Sequence, residues 1–143
     1  MITAKLKLIL TNAGCTTVLY ESSQLANILV DYAKREEIIG LILQPNTVQL
    51  NVKANAIQEH YPPVVIEIMQ QVKLEDSAEN NEEKLEDLKE ICKEVILGLI
   101  DSGDYKKIMP FKIIKILETR YDANVIGWSL PLDLYTLLNE NKC

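Results

Sequence analysis

A chain of 143 residues, 48% of them apolar, is long enough to bury one ordinary core and too hydrophobic to stay disordered. Its net charge of −6, with Arg35 and Arg120 the only arginines, argues against a protein that grips phosphate backbones. No uncharged apolar run approaches the ~20 residues needed to span a bilayer.

In chain order, the opening "MITAKLKLIL" interleaves Lys5 and Lys7 with apolar residues and lacks the continuous apolar run of a signal peptide. Leu6, Leu8 and Leu10 fall on one side and Lys5, Lys7 and Ile9 on the other, the period of a strand. "NAG" (12–14) is turn chemistry, and "CTTVLYE" (15–21) is rich in β-branched and aromatic residues, so a β-hairpin is expected. "SSQLANILVDYAKREE" predicts a helix over 22–36, capped by Ser22 or Ser23, with Leu25, Ile28, Leu29, Tyr32 and Ala33 on one stripe. "EIIGLILQ" (37–44) is apolar on both faces from Ile38 to Leu43 apart from Gly40, as in a central strand. In "TVQLNVKA" (47–54), Val48, Leu50 and Val52 alternate with Gln49, Asn51 and Lys53, the pattern of a half-exposed strand. Pro45 and Asn46 between the two suit the centre of a tight turn. Past a loop containing "HYPP", the alternation of Val64, Ile66, Ile68, Val72 and Leu74 favours a strand over a helix opening at Pro63.

The charge is uneven: residues 75–90 hold eight carboxylates and two lysines, while both flanks are neutral. Residues 75–81, "EDSAENN", read as a polar connector, and 82–90 as the charged entrance and outer face of a helix, where carboxylates favour the positive end of the macrodipole. Leu85, Leu88, Cys92, Val95 and Leu99 step by three and four, widened by Ile91, Ile96 and Ile100, and Gly103 is a natural stop. Pro110 suits the first turn of a second helix with Phe111, Ile114, Leu117 and Tyr121 on its stripe. "DANVIGWS" reads as a connector, and Ser129 and Pro131 open a last short helix carrying Leu134, Tyr135, Leu137 and Leu138. The expected class is therefore α+β. A mainly antiparallel β-β-α-β-β-β unit (1–74) and a connector (75–81) precede a three-helix region (82–143). The order helix (22–36), three strands, helix (82–102) resembles that of the double-stranded-RNA-binding domain. That family uses a lysine-rich helix entrance where this chain has "NEEKLED", so no residue role carries over.

Candidate sites are few. "TNAGCTT" (11–17) could cradle an anion with backbone amides around Asn12, Gly14, Thr16 and Thr17, although a hairpin turn explains it as well. Cys15 with His60, the lone histidine, could form a nucleophile–base pair if the fold brought them together. A lone histidine and unpaired cysteines complete no metal site, "DSGD" (101–104) lacks the spacing of a calcium loop, and no cofactor is implied. The three cysteines, Cys15, Cys92 and Cys143, are odd in number and far apart, which favours a reducing, cytoplasmic setting with free thiols.

With no catalytic constellation visible, the expectation is a small binding or regulatory protein acting through protein–protein contacts. A homodimer is expected to bury Ile96, Ile100, Ile113 and Ile116. The alternative is a small-molecule sensor or sponge, nucleotide-like in its ligand, with a pocket between sheet and helices or at a subunit interface. No membrane or nucleic-acid partner is expected. A gel shift with duplex DNA or RNA at physiological salt should show no complex; a shift that survives moderate salt would contradict the charge argument.

Overall fold

The computed structural model describes residues 2–20, 37–44, 47–72, 78–102, 111–120 and 123–135. The chain is α+β. Helix α1 spans Ile2–Ala13, and strand β1 spans Thr17–Leu19. Strands β2 (Ile39–Leu43), β3 (Gln49–Lys53) and β4 (Ala56–Val72) follow, then helix α2 (Ala78–Ser102) and strands β5 (Ile114–Arg120) and β6 (Ala123–Tyr135). The six described strands form one mixed sheet in the order β1-β2-β4-β6-β5, with β3 also on β4. Only the β1–β2 ladder is parallel. The helix expected over 22–36 and the proline-asparagine turn lie outside the described residues.

Strand β4 is the spine. On one side it pairs with β6 from His60↔Tyr135 to Val72↔Asn124. On the other it carries β2 against Val65–Met69 and β3 against Ala56–His60. Thus β2 and β3 do not pair with each other, as a tight turn at 45–46 would require. They run in line along the same side of β4. The hairpin turn is instead Ala54–Asn55, with Ala54 at φ 55°, a conformation that usually selects glycine or asparagine.

"HYPP" is not a loop between strands but an irregularity within one. From Tyr61↔Leu134 to Val64↔Leu132, β4 advances three residues while β6 advances two. The extra residue inverts the phase of side chains, because their period is two. Past the bulge, Val64, Ile66, Ile68 and Val72 face the helices; before it, Tyr61 does.

Both helices cover this first face. Leu6 and Leu10 of α1 join Leu85, Leu88, Cys92, Val95 and Leu99 of α2 and Ile126, Leu130, Leu132 and Leu134 of β6 in the main core. The α2 stripe therefore packs as its spacing implies, and Glu79, Glu82, Glu83, Glu86, Asp87 and Glu90 are exposed on the outer side. The helix starts at Ala78, so part of the expected connector already belongs to it. The indole Nε1 of Trp128 donates to the Leu85 carbonyl (2.8 Å) and ties β6 to α2.

Two expectations are corrected. Residues 2–13 are helical, not a strand. Leu6 and Leu10 are an i, i+4 pair as well as an i, i+2 alternation, and Leu8 is 62% exposed. Gly14, at φ 121°, closes the helix: its N–H donates to the Thr11 carbonyl (3.2 Å) and the Cys15 N–H to that of Leu10 (3.0 Å), a Schellman motif. The three-helix C-terminal region is the second correction, since β5 and β6 replace its last two helices. Their β-branched residues (Ile114, Ile116, Thr119, Val125, Ile126) fit a pleated surface, and Pro131 lies past the end of β5, where no described strand pairs with that side of β6.

The second face of the sheet coils. Across it run Ile39, Met69, Gly127 and Ile116 in register, with Leu19, Leu41 and Val125 beside them in a second buried cluster. A Cβ at Gly127 would overlap the Ile68 carbonyl oxygen and come within 2.7 Å of Met69 Cα. Gly127→Ala should therefore cost about 2 kcal/mol or more in urea unfolding, because backbone cannot yield. Gly98→Ala in α2 would set a Cβ 2.9 Å from the Cγ2 methyl on the branched Cβ of Ile9, so its gain in helix propensity should be offset by a shift of α1, for a smaller net loss than at Gly127.

Candidate functional site

The loop singled out for anion binding is closed by its own chain. Thr16 Oγ1 accepts from the Ile38 N–H (2.8 Å), and the Thr17 hydroxyl donates to Glu37 (2.8 Å). Asn12 sits exposed in the last turn of α1, and Gly14 is the helix C-cap. A helix C-terminus presents carbonyl oxygens and the negative end of the dipole, a poor setting for an anion.

Cys15 and His60 occupy different places. Cys15 is buried in the main core, where a Cβ at Gly40 would lie 3.1 Å from its Sγ and 3.2 Å from Leu10 Cδ1. Burial, with a contribution from Cys92, pushes its thiol up to about 12, and burial pushes Cys92 to about 11. Both are poor nucleophiles near neutrality. His60 is engaged elsewhere: Asp133 of β6 bonds Nε2, Gln49 Oε1 faces Nδ1 at 3.4 Å, and Tyr135 stacks on the ring at 3.9 Å and 7°. This cluster fastens the start of β4 to β3 and β6. Among the described residues no group of three or more His, Cys, Asp and Glu is arranged for a metal ion.

The residues expected at an interface do not form one surface. Ile96 and Ile113 pack partly buried against the main core, and Ile100 is half-buried at the end of α2. Ile116 is 5% exposed in the second-face cluster.

The second face also carries polar groups that the sequence did not flag. Arg120 donates to both carboxylate oxygens of Glu67 (2.8 and 3.0 Å) and also bonds Glu118. Ala123, opposite Arg120, is six residues along β6 from Ser129, opposite Glu67. In a flat sheet that offset is ~20 Å, so the contact exists only because the β5–β6 hairpin curls over this face. The Glu67 carboxylate holds the Arg120 guanidinium charged, above its ordinary range. On the same face, four residues along β4 from Glu67, Gln71 is 6% exposed and its Oε1 has no hydrogen-bond partner.

Among the described residues the most unusual surface lies beyond the bulge, where β3 and the start of β4 form a two-stranded arm. Val48, Leu50, Val52 and Ile57 share one face of it and are 44%, 60%, 72% and 57% exposed. Gln49, Asn51, Lys53 and Gln58 take the other. The sequence announced the alternation of β3 faithfully, but the apolar side is the open one. It continues the face that α1 and α2 cover in the body. Other exposed aliphatics are scattered: Leu8 on α1, Leu97 on α2, and Ile114 and Leu117 on opposite faces of β5.

No protein-family model matches the chain, and no curated protein is significantly similar to it.

Two thiol measurements check the core. With Cys143 replaced by Ser, Ellman's reagent at about pH 8 should leave Cys15 and Cys92 unreacted in the folded chain and titrate both in urea. Their folded values lie above the ordinary 9.0, so the neutral thiols' contribution is intact below that pH. It is lost as pH rises towards the folded values, and Cys92→Ala should flatten this alkaline decline in urea midpoint.

Proposed function

We propose that this chain is a non-catalytic, cytoplasmic binding or regulatory protein that works through protein–protein contacts as a homo-oligomer, with the β3–β4 arm as its contact element. One observation carries the reading: four aliphatic side chains lie together and exposed on a two-stranded arm. A patch of this kind is uncommon unless something covers it. Its geometry suits recognition, since the polar cluster of His60, Gln49, Asp133 and Tyr135 stiffens the arm's root. The cytoplasmic setting is supported by Cys15 and Cys92, which are buried and free. No described helix is long and apolar enough to cross a membrane.

A second reading, the small-molecule sensor, is favoured by the second face, which carries both the unpartnered Gln71 carbonyl and the Glu67–Arg120 pair. The space between sheet and helices is filled by side chains that are 0–8% exposed. Arg120 is committed to two carboxylates, which disfavours a phosphate-bearing ligand. Native mass spectrometry of protein purified from cells distinguishes the two, because a tightly held adduct would favour the sensor.

Leu50→Glu with Val52→Glu should lower the free energy of unfolding by no more than about 1.5 kcal/mol, part of it from the like charges that the register sets opposite one another at positions 50 and 59. The same variant should lose the crosslinks that a photoreactive residue at position 57 makes to other proteins in cells. A stability loss above ~2 kcal/mol would show that the arm's apolar face is packed within its own chain, and the proposal would fail.

A further inference from the structure

We infer that the occupant of the arm's apolar face is the same face of a second copy, the two arms packing sheet on sheet about a two-fold axis. This rests on the proposed function and names its partner. Four observations converge on it.

The first is incompleteness. A lone two-stranded hairpin is marginal in water and needs a third strand or a cover on its apolar face. Over the body, α1 and α2 supply that cover; along β3 and Ala56–His60 no described element covers the same face, and Val48, Leu50, Val52 and Ile57 are exposed.

Charge is the second. From Thr47 to Gln58 the chain carries a single ionisable side chain, Lys53, and the register puts it on the amide face. Glu59, the next acid along this face, is held by the Tyr61 hydroxyl. The excess negative charge of the chain lies within residues 75–90, and where that window is described it lines the outer side of α2 with carboxylates that would repel a second copy. Against itself the arm's apolar face sets one carboxylate, that of Glu59 opposite Leu50, far fewer than the outer side of α2 would.

The third is composition. Val48, Leu50, Val52 and Ile57 are of one kind and similar size, and a two-fold axis sets each against members of the same set. Inner faces of aligned sheets interdigitate in this way about 10 Å apart. Pairing the free edges of two β3 strands would leave all eight aliphatic side chains in water, so face-to-face packing is favoured.

The fourth is area. The arm face offers on the order of 300–400 Å² per copy, about half of what a standard stable interface buries on each partner. The association is therefore weak, with dissociation in the micromolar range, and reversible with concentration.

Sedimentation velocity of the full chain from about 1 to 300 µM tests this. The expected result is a monomer–dimer equilibrium. Leu50→Glu with Val52→Glu should raise its dissociation constant at least tenfold, about 1.4 kcal/mol. Asn51→Glu, on the opposite face, should change it less than about twofold. Circular dichroism must show the fold retained in each variant. A chain that stays monomeric over the whole range overturns the inference, as does a dimer indifferent to the Leu50 and Val52 changes. The two failures separate by photocrosslinking at position 57. Capture of a different protein by a strictly monomeric chain would overturn the second copy as occupant but leave the interaction reading standing. Absence of any crosslink would remove both.

Discussion

The structure depends on the antiparallel ladder between β4 and β6, and on the one residue by which the two strands disagree. From Val72↔Asn124 to Val64↔Leu132 the ladder is regular, and every second residue of β4 meets the helices. Between Tyr61 and Val64 the extra residue shifts the phase. Without it, His60 would face the helix side and Tyr61 the other, because a one-residue slip exchanges the two faces of a strand. The bulge thus sets His60 beside Tyr135 and Asp133 and turns Ile57, with Val48, Leu50 and Val52 of β3, onto the side that the helices cover further along. The arm's apolar face is a consequence of that register.

On either side of the ladder the two faces are closed by different means. The first is closed by helices, tied down by the indole of Trp128 on the Leu85 carbonyl and by the Schellman turn that aims Cys15 and Leu10 at Gly40. A side chain at position 40 would collide with both. The second face is buried at Ile39, Leu41, Met69 and Val125 although α1 and α2 lie on the other side. There Ile116 joins the cluster beside Gly127, and Arg120 reaches across the face to Glu67. Arg120 and Glu67 are mostly buried, and truncating either would strand a charge, so the pair specifies the curl as much as it stabilises it.

Much of this was legible locally. The α2 stripe, its exposed carboxylates, the central strand over 39–43 and the alternation in 64–72 follow from periods of 3.6 and 2 that tertiary contacts did not override. Residues 2–13 were misleading because Leu6 and Leu10 satisfy both periods at once, and a glycine at positive φ closes a helix as readily as a hairpin. Residues 114–135 were misleading for another reason. Proline and serine at 129–131 have the chemistry of a helix start, but Pro131 falls on a stretch of β6 that no described strand pairs with on one side, where its missing N–H is tolerated. The Ala54–Asn55 turn carried no glycine to announce it.

The candidate site divides the same way. The sequence by itself determined which residues are apolar, at what spacing they recur, and that the excess negative charge belongs to one short window. Those facts decide what can be buried and where a helix can enter solvent, because they depend only on neighbours a few residues apart. Which side of β3 would find a cover was decided by tertiary structure alone. Val48, Leu50 and Val52 spell a half-buried strand whether or not anything packs on them. Whether something does depends on how far α1 and α2 extend along a 17-residue strand, and on a bulge that sets the facing of everything before it. Pairings such as His60 with Asp133 and Glu67 with Arg120 join residues 73 and 53 positions apart, through register and curvature that no local pattern encodes.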